Sequence, residues 1–357
     1  MQVESKSMLP PKVELHIHLD GAVRPSTVWD LAKKRGINVP GSNAKEMTSS
    51  IRNFEMGTLP KFLDTFKIFL PPLIGDKEAL RRISYEICED KAKEGVVYFE
   101  ARFSPHLLVY SDPESGHVKE KALSTHDVMR SIVEGIEQGQ KDFNVKARLI
   151  ICTARETPAW ALECLQLCQE FSEFVVAIDI ADCGGKDETE GEEYHHEIIR
   201  VFQEAERCGV HRTVHAGESG PAGNVKIAIE ELKAERIGHG YHVLEDDDIY
   251  QMVKDKDIHF EICPTSSVYT GSCDSDFTKH PCVRFIKDQI NFSLNTDDPM
   301  VFGNTINDEF EIARKYFGLS DEQAIQVTFN AARASFLPKQ EKLELIEKLR
   351  AAYHVAD

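Results

Sequence analysis

Short runs of β-branched and aliphatic residues recur along the chain, separated by stretches whose apolar positions repeat at helical spacing. The runs read KVELHIH (12–18), VVYFEAR (96–102), KARLIIC (146–152), FVVAIDI (174–180), RTVHA (212–216), RIGH (236–239), IHFEI (258–262) and INFSLNT (290–296). Between most of them lie amphipathic segments such as HDVMRSIVEGIEQGQKDF and NVKIAIEELKAE, which the 3.6-residue period marks as helices. Strand–helix alternation of this kind predicts parallel β/α units. Eight of them point to a closed α/β architecture, the (β/α)8 TIM barrel, with a large doubly wound sheet as the alternative.

One connection is out of proportion. Residues 19–95, between the first and second strands, are far more than one crossover helix requires. They contain two helical patterns, TLPKFLDTFKIFL and KEALRRISYEICEDKAKEG. In the first, Leu59, Phe62, Leu63 and Phe66 form an i, i+3, i+4, i+7 stripe. Such a stripe serves core packing or, because long insertions of this type shape a barrel's mouth, an apolar lid over a ligand. SDPESGHVKEKALSTHD (111–127) reads as a surface loop, and helices around 321–334 and 338–352 are expected to flank or cap the barrel. No repeat or linker divides the chain, so residues 1–357 are expected to form a single barrel domain.

Polar residues then fall in a pattern. In the first strand alternate side chains share a face, which puts His16, His18 and Asp20 on one side and Val13, Leu15, Ile17 and Leu19 on the other. His215 ends the fifth strand, His239 ends the sixth, and Asp297 and Asp298 follow the eighth. In a barrel these strand ends converge on the face that holds active sites. Imidazoles and a carboxylate suit a borderline-soft divalent ion such as Zn²⁺, and such an ion activates water near neutral pH. Each piece has a bland reading by itself: a lone strand histidine is usually structural, and NTDDP resembles an ordinary turn. The joint placement at matching strand ends favours a metal site. His106, His117, His126, His195, His196, His211, His242 and His280 do not share it, and His259 lies at the wrong end of its strand.

Composition narrows the surroundings. A formal charge of −18 over 357 residues argues against nucleic acid or an anionic membrane as partner. The nine cysteines include no C-x-x-C pair, which suggests reduced thiols and a cytoplasmic home. MQVESKSMLPPK lacks the apolar core of a signal peptide, and no run is long enough to span a bilayer.

VELHIHLDGA, TVHAGE, RIGHG and SLNTDDP, together with TLPKFLDTF, AKEGVVYFEARFSPHLL and NAARASFLP, closely resemble the motifs of the animal-type adenosine deaminase family, within the metal-dependent amidohydrolase superfamily. The resemblance runs from about residue 11 to about residue 350. It implies one zinc ion held by His16, His18, His215 and Asp297. It implies Glu218 as the proton donor to purine N1, and His239 as the residue that orients the attacking water. Asp298 would meet that water and N7, while His18 and Asp20 contact the substrate, Asp20 holding the ribose 5′-hydroxyl. Leu59, Phe62, Leu63 and Phe66 would then be the apolar gate. The implied reaction is hydrolysis of adenosine and 2′-deoxyadenosine to inosine and deoxyinosine plus ammonia, in purine metabolism, by a monomer acting on a small molecule. Attachment to a cell surface through a partner cannot be read from sequence.

Two stretches depart from the family pattern. DIADCGGKDE (179–188) carries extra residues where a glycine amide is expected to meet purine N3. Gly184 is the candidate, with Gly185 and the amide of Asp182 as alternatives. In CPTSS, Thr265 stands where a tryptophan is expected, a change of packing behind the site. Binuclear relatives carry a carboxylated lysine after the fourth strand, whereas here Asp179 and Ala181 end that strand and Lys186 lies beyond. A nucleotide substrate would need a cation for its phosphate, which Asp20 would repel. The H-x-E…P-C-x-x-C signature of cytidine-type deaminases is absent.

Overall fold

The computed structural model describes residues 10–52, 58–109, 123–181 and 194–355. Its eight strands are β1 (Lys12–His18), β2 (Val96–Phe103), β3 (Lys146–Ala154), β4 (Val175–Ala181), β5 (His211–Ala216), β6 (Arg236–His239), β7 (His259–Ile262) and β8 (Phe292–Leu294). All eight predicted strands are present. They pair in parallel, each with the next in sequence. β8 meets β1 through a parallel bridge between Ile17 and Asp297, so the sheet closes and the doubly wound alternative is excluded.

The seam is built partly from a side chain. His18 N–H donates to Asp297 O at 2.9 Å and Asp297 N–H to His16 O at 3.2 Å. Just below, the Leu15 and His16 N–H groups both donate to Asn295 Oδ1, at 2.8 and 3.1 Å. Two consecutive amides on one acceptor are the sign of a β-bulge, and the β1–β2 register shifts between Glu14 and Ile17. The bulge breaks the strict alternation expected for this strand. Val13 and Leu15 pack with Tyr98, Leu345 and Leu349 in one apolar cluster, whereas Ile17 and Leu19 join the main core. Glu14, an even position like His16, instead pairs with Lys91 at 3.1 Å. β8 is shorter than the predicted 290–296 for the same reason. At Asn295 the side chain, not the backbone, takes the β1 amides, and Asp297, which resumes backbone pairing, adopts φ 64°.

Along β2, Phe99, Ala101 and Phe103 belong to the main apolar core, while Tyr98, Glu100 and Arg102 turn into the barrel. The helix Lys339–Tyr353 lies beneath, where Tyr353 OH donates to Pro11 O at 2.6 Å. Helices Lys77–Lys93 and Asp321–Ala334 match their sequence patterns. The first starts where Asp76 Oδ1 accepts Ala79 N–H, and the second at a Ser320/Gln323 capping box. The lid pattern differs, because TLPKFLDTFKIFL folds as two short helices, Leu59–Asp64 and Phe66–Phe69. At the break, Thr65 Oγ1 donates back to Phe62 O at 2.7 Å. Of the predicted loop 111–127, residues 111–122 lie outside the described residues. Its end is not loop: Thr125, His126 and Asp127 begin the helix Thr125–Phe143, capped by Ser124 with Asp127.

Because the Asn295 side chain accepts two buried amides, Asn295→Ala should cost about 2–6 kcal/mol, at roughly 1–3 kcal/mol per orphaned group. Urea unfolding measures this, and a loss below about 1 kcal/mol would mean that the seam does not rest on this side chain.

Candidate metal centre and active site

The seam that closes the barrel also delivers a carboxylate to two imidazoles. Asp297 Oδ1 lies 3.2 Å from His16 Nε2 and 3.3 Å from His18 Nε2. From β5 and β6, His215 and His239 bring their ring centroids to 4.7 and 4.6 Å from that of His16. Donor atoms of His16, His18 and His215 lie within 4.8 Å of one another, as do those of His18, Asp297 and Asp298, and those of His16, His239, Cys263 and Asp297. His239 and Asp297 reach inward from left-handed backbone, at φ 65° and 64°, a conformation that costs non-glycine residues roughly 1–2 kcal/mol.

The outer ring nitrogens are tied down. His16 Nδ1 lies 2.7 Å from Glu261 Oε2, and His215 Nδ1 lies 3.1 Å from Asp179 Oδ2. Burial opposes ionisation of Glu261, yet the Arg102 and Arg236 guanidiniums hold its carboxyl well below the usual range. Burial likewise opposes ionisation of Asp179, and His215 with Arg102 holds it low. Ionised carboxylates only accept, so both histidines carry their proton on Nδ1 and present the Nε2 lone pair inward. Burial also pushes the His215 imidazole down to about 4, keeping it neutral. In His239, Nδ1 lies 3.3 Å from Tyr241 OH, whose own proton goes to Cys263 O at 3.1 Å. Nδ1 is therefore the donor, and His239 Nε2 faces Glu218 Oε2 at 3.6 Å.

Above this cluster opens a cavity of about 1040 Å³, lined by His18, Asp20, Glu218, His215, His239 and Asp298 at its polar end and by Leu59, Phe62, Leu63 and Phe66 on the apolar side. The stripe both packs against the core and lines the cavity. Leu59 and Phe62 are buried, with Phe62 stacked on Phe302 at 5.0 Å, while Leu63 and Phe66 pack against the core from the cavity wall. Asp20 Oδ1 and Asp298 Oδ1 are buried without a hydrogen-bond partner among the described residues. Burial raises the pKa of both, with Asp297 and Asp20 adding to the rise at Asp298. Gly21 makes room for that carboxylate, since a Cβ there would fall 1.7 Å from Asp298 Oδ1. Gly184, Gly185, Asp182, Lys186 and His117 lie outside the described residues. Thr265 is not among the cavity's lining. Its N–H and hydroxyl donate to Glu309 at 3.0 and 2.5 Å.

A profile of the adenosine deaminase family matches residues 11–352. The adenosine deaminase of Xenopus tropicalis is 46% identical over 354 residues, 98% of each chain. The chain belongs to the adenosine deaminase family. Among solved structures, an adenine deaminase from Arthrobacter aurescens superposes with a TM-score of 0.83 at 25% identity, covering 97% of this chain and 100% of that one. An amidohydrolase from Burkholderia ambifaria with bound Zn gives 0.82 at 25% identity, covering 97% and 91%.

The donor set fits a divalent cation. His16 Nε2 and Asp297 Oδ1 are buried with no hydrogen-bond partner among the described residues, although unpartnered buried polar atoms are costly. Beneath them, the buried carboxylates of Glu100, Asp179 and Glu261 face the buried guanidiniums of Arg102 and Arg236, and Asp297 adds a fourth carboxylate beside the imidazoles. Four negative charges against two positive ones leave a deficit that one divalent ion would cancel.

Sequence reading passed over Glu261, Arg102, Arg236 and Glu100, and saw in Asp179 only the absence of lysine. Their signal was present: Glu261 interrupts an apolar strand between Phe260 and Ile262, and Glu100 and Arg102 alternate with Phe99, Ala101 and Phe103. A divalent metal added to metal-free protein should raise its stability by roughly RT ln([L]/Kd), about 2.7 kcal/mol at a hundredfold excess over Kd. In thermal melts His16→Ala should abolish that response. An equal response in the variant would place the metal elsewhere.

Proposed function

We propose that the chain hydrolyses adenosine and 2′-deoxyadenosine to inosine and deoxyinosine, releasing ammonia, through one Zn²⁺ held by His16, His18, His215 and Asp297. The observation that carries this reading is the meeting of Glu218, His239, Asp298 and Asp20 around the imidazole cluster at one end of the cavity. When bound, zinc lowers the pKa of its water towards neutrality and so supplies a nucleophile. The chain's own residues do the rest. His239 is held by Tyr241 with Nε2 unprotonated and can accept a proton from the attacking water. Glu218 donates a proton to N1 of the purine, which makes C6 electrophilic. Asp298, which burial and the neighbouring Asp297 and Asp20 hold towards its protonated form, donates to N7 and meets the attacking water. Asp20 offers a buried oxygen, unpartnered among the described residues, that a ribose hydroxyl would satisfy.

The apolar wall of Leu59, Phe62, Leu63 and Phe66 covers the base and excludes bulk water, which strengthens each of these polar contacts. Glycine 184 remains the candidate for the amide at N3. Asp20 also argues against nucleotides, because a phosphate brought beside a buried carboxylate site meets like charge. We place this activity in a single barrel domain spanning the chain and acting as a monomer. The eight described cysteines are free thiols, which accords with the cytoplasm, and among the described residues no helix is long and apolar enough to cross a membrane.

Purified protein incubated with adenosine should show the ultraviolet change from adenosine to inosine. Glu218→Gln should reduce kcat by roughly 100- to 10,000-fold with zinc content unchanged. AMP should be turned over at least about 100-fold less efficiently than adenosine, a difference of about 2.7 kcal/mol. AMP turnover equal to that of adenosine would overturn the substrate assignment, and full activity in Glu218→Gln would remove Glu218 from the proton step.

A further inference from the structure

Two of the proposed zinc ligands, His16 on β1 and His215 on β5, lean on different carboxylates from different strands, and both carboxylates are gripped by one guanidinium. Arg102 is fully buried. Its NH1 donates to Asp179 Oδ2 at 2.7 Å, and its NH2 donates to Glu261 Oε2 at 2.6 Å. NH2 also donates to Leu15 O at 2.7 Å, the carbonyl at the bulge immediately before His16. From β2, Arg102 thus reaches β1, β4 and β7 at once. Glu261 has further anchors in Arg236 and Thr213, at 2.7 and 2.9 Å. Asp179 Oδ2, the oxygen nearest His215 Nδ1, is held by Arg102 and, among the described residues, also lies 3.5 Å from Cys152 Sγ, while Oδ1 accepts the Ile180 N–H at 2.7 Å.

We propose that Arg102 is a positioning residue that ties His16 and His215 into one unit, so that the two ligands are oriented for the metal together rather than independently. The proposal rests on the metal reading given above. A planar fork with two separated N–H pairs can hold both carboxylates in fixed directions, which a lysine ammonium, a single point charge, cannot do. Partners behind metal-binding histidines fix ring orientation and tautomer, and their loss typically weakens metal binding by roughly 10- to 100-fold. Here one side chain serves two such partners, so disturbing either arm should loosen the other.

The test is zinc affinity by chelator competition in Arg102→Lys, Asp179→Asn, Glu261→Gln and their pairwise combinations, alongside histidine ¹⁵N NMR of the metal-free proteins. Arg102→Lys should bind zinc at least about 10-fold more weakly than the parent, and its His16 and His215 should lose their uniform Nδ1–H tautomer. Asp179→Asn and Glu261→Gln should together weaken binding by less than the product of their separate factors, a comparison that stands even if Arg102→Lys does not fold. Zinc affinity within about twofold of the parent in folded Arg102→Lys, unchanged tautomers, or fully multiplicative factors would overturn the proposal. The parent should bind zinc and His16→Ala should not. A parent that binds none would count against the metal reading, while the tautomer spectra would still decide the role of Arg102.

Discussion

The site depends on how β8 meets β1. The Asn295 side chain takes the amides of Leu15 and His16, and the backbone of Asp297 then bonds to His16 and His18. The same few atoms close the barrel, create the bulge that turns His16 inward, and set Asp297 Oδ1 between two imidazole nitrogens. Closure and ligand geometry are therefore one constraint. A slip of one residue along this seam would carry Asp297 away from the histidines and reverse the faces of β1.

Below the seam the barrel interior is filled with charge rather than with the branched apolar side chains usual in this architecture. Glu100, Arg102, Asp179, Arg236 and Glu261 are all at most 1% exposed. Burying ions is expensive, and a network of this kind is sustained only when each member is paired. Its arrangement serves orientation: the carboxylates behind His16 and His215 are kept ionised, and the imidazoles keep their inward lone pairs. Above, the environment changes sign of purpose. Asp20 and Asp298 have buried oxygens without partners among the described residues, and they line the same cavity as the apolar wall.

Much of this could be read from the sequence because parallel β/α units write themselves as β-branched runs alternating with amphipathic helices, and all eight runs became strands. His16, His18, His215, His239, Asp297 and Asp298 were found because each lies at the same end of its strand. What period-2 reasoning could not supply was the bulge. It assigned Val13 and Leu15 to the face opposite His16 throughout, whereas two consecutive amides share one acceptor there. Nor could a single strand reveal that Glu261 and Arg102 face the barrel axis, since inside and outside are decided by closure. The break at Thr65 escaped for a local reason: a hydroxyl bonding back to Phe62 O ends a helix whose apolar period continues past it.

The central claim is that these strand ends form a metal centre. Anomalous diffraction at the zinc absorption edge, from crystals of catalytically active protein, tests it most directly. The account predicts one strong peak per chain, bounded by His16 Nε2, His18 Nε2, His215 Nε2 and Asp297 Oδ1. An active protein with no peak there, or with its zinc bound elsewhere, would contradict it.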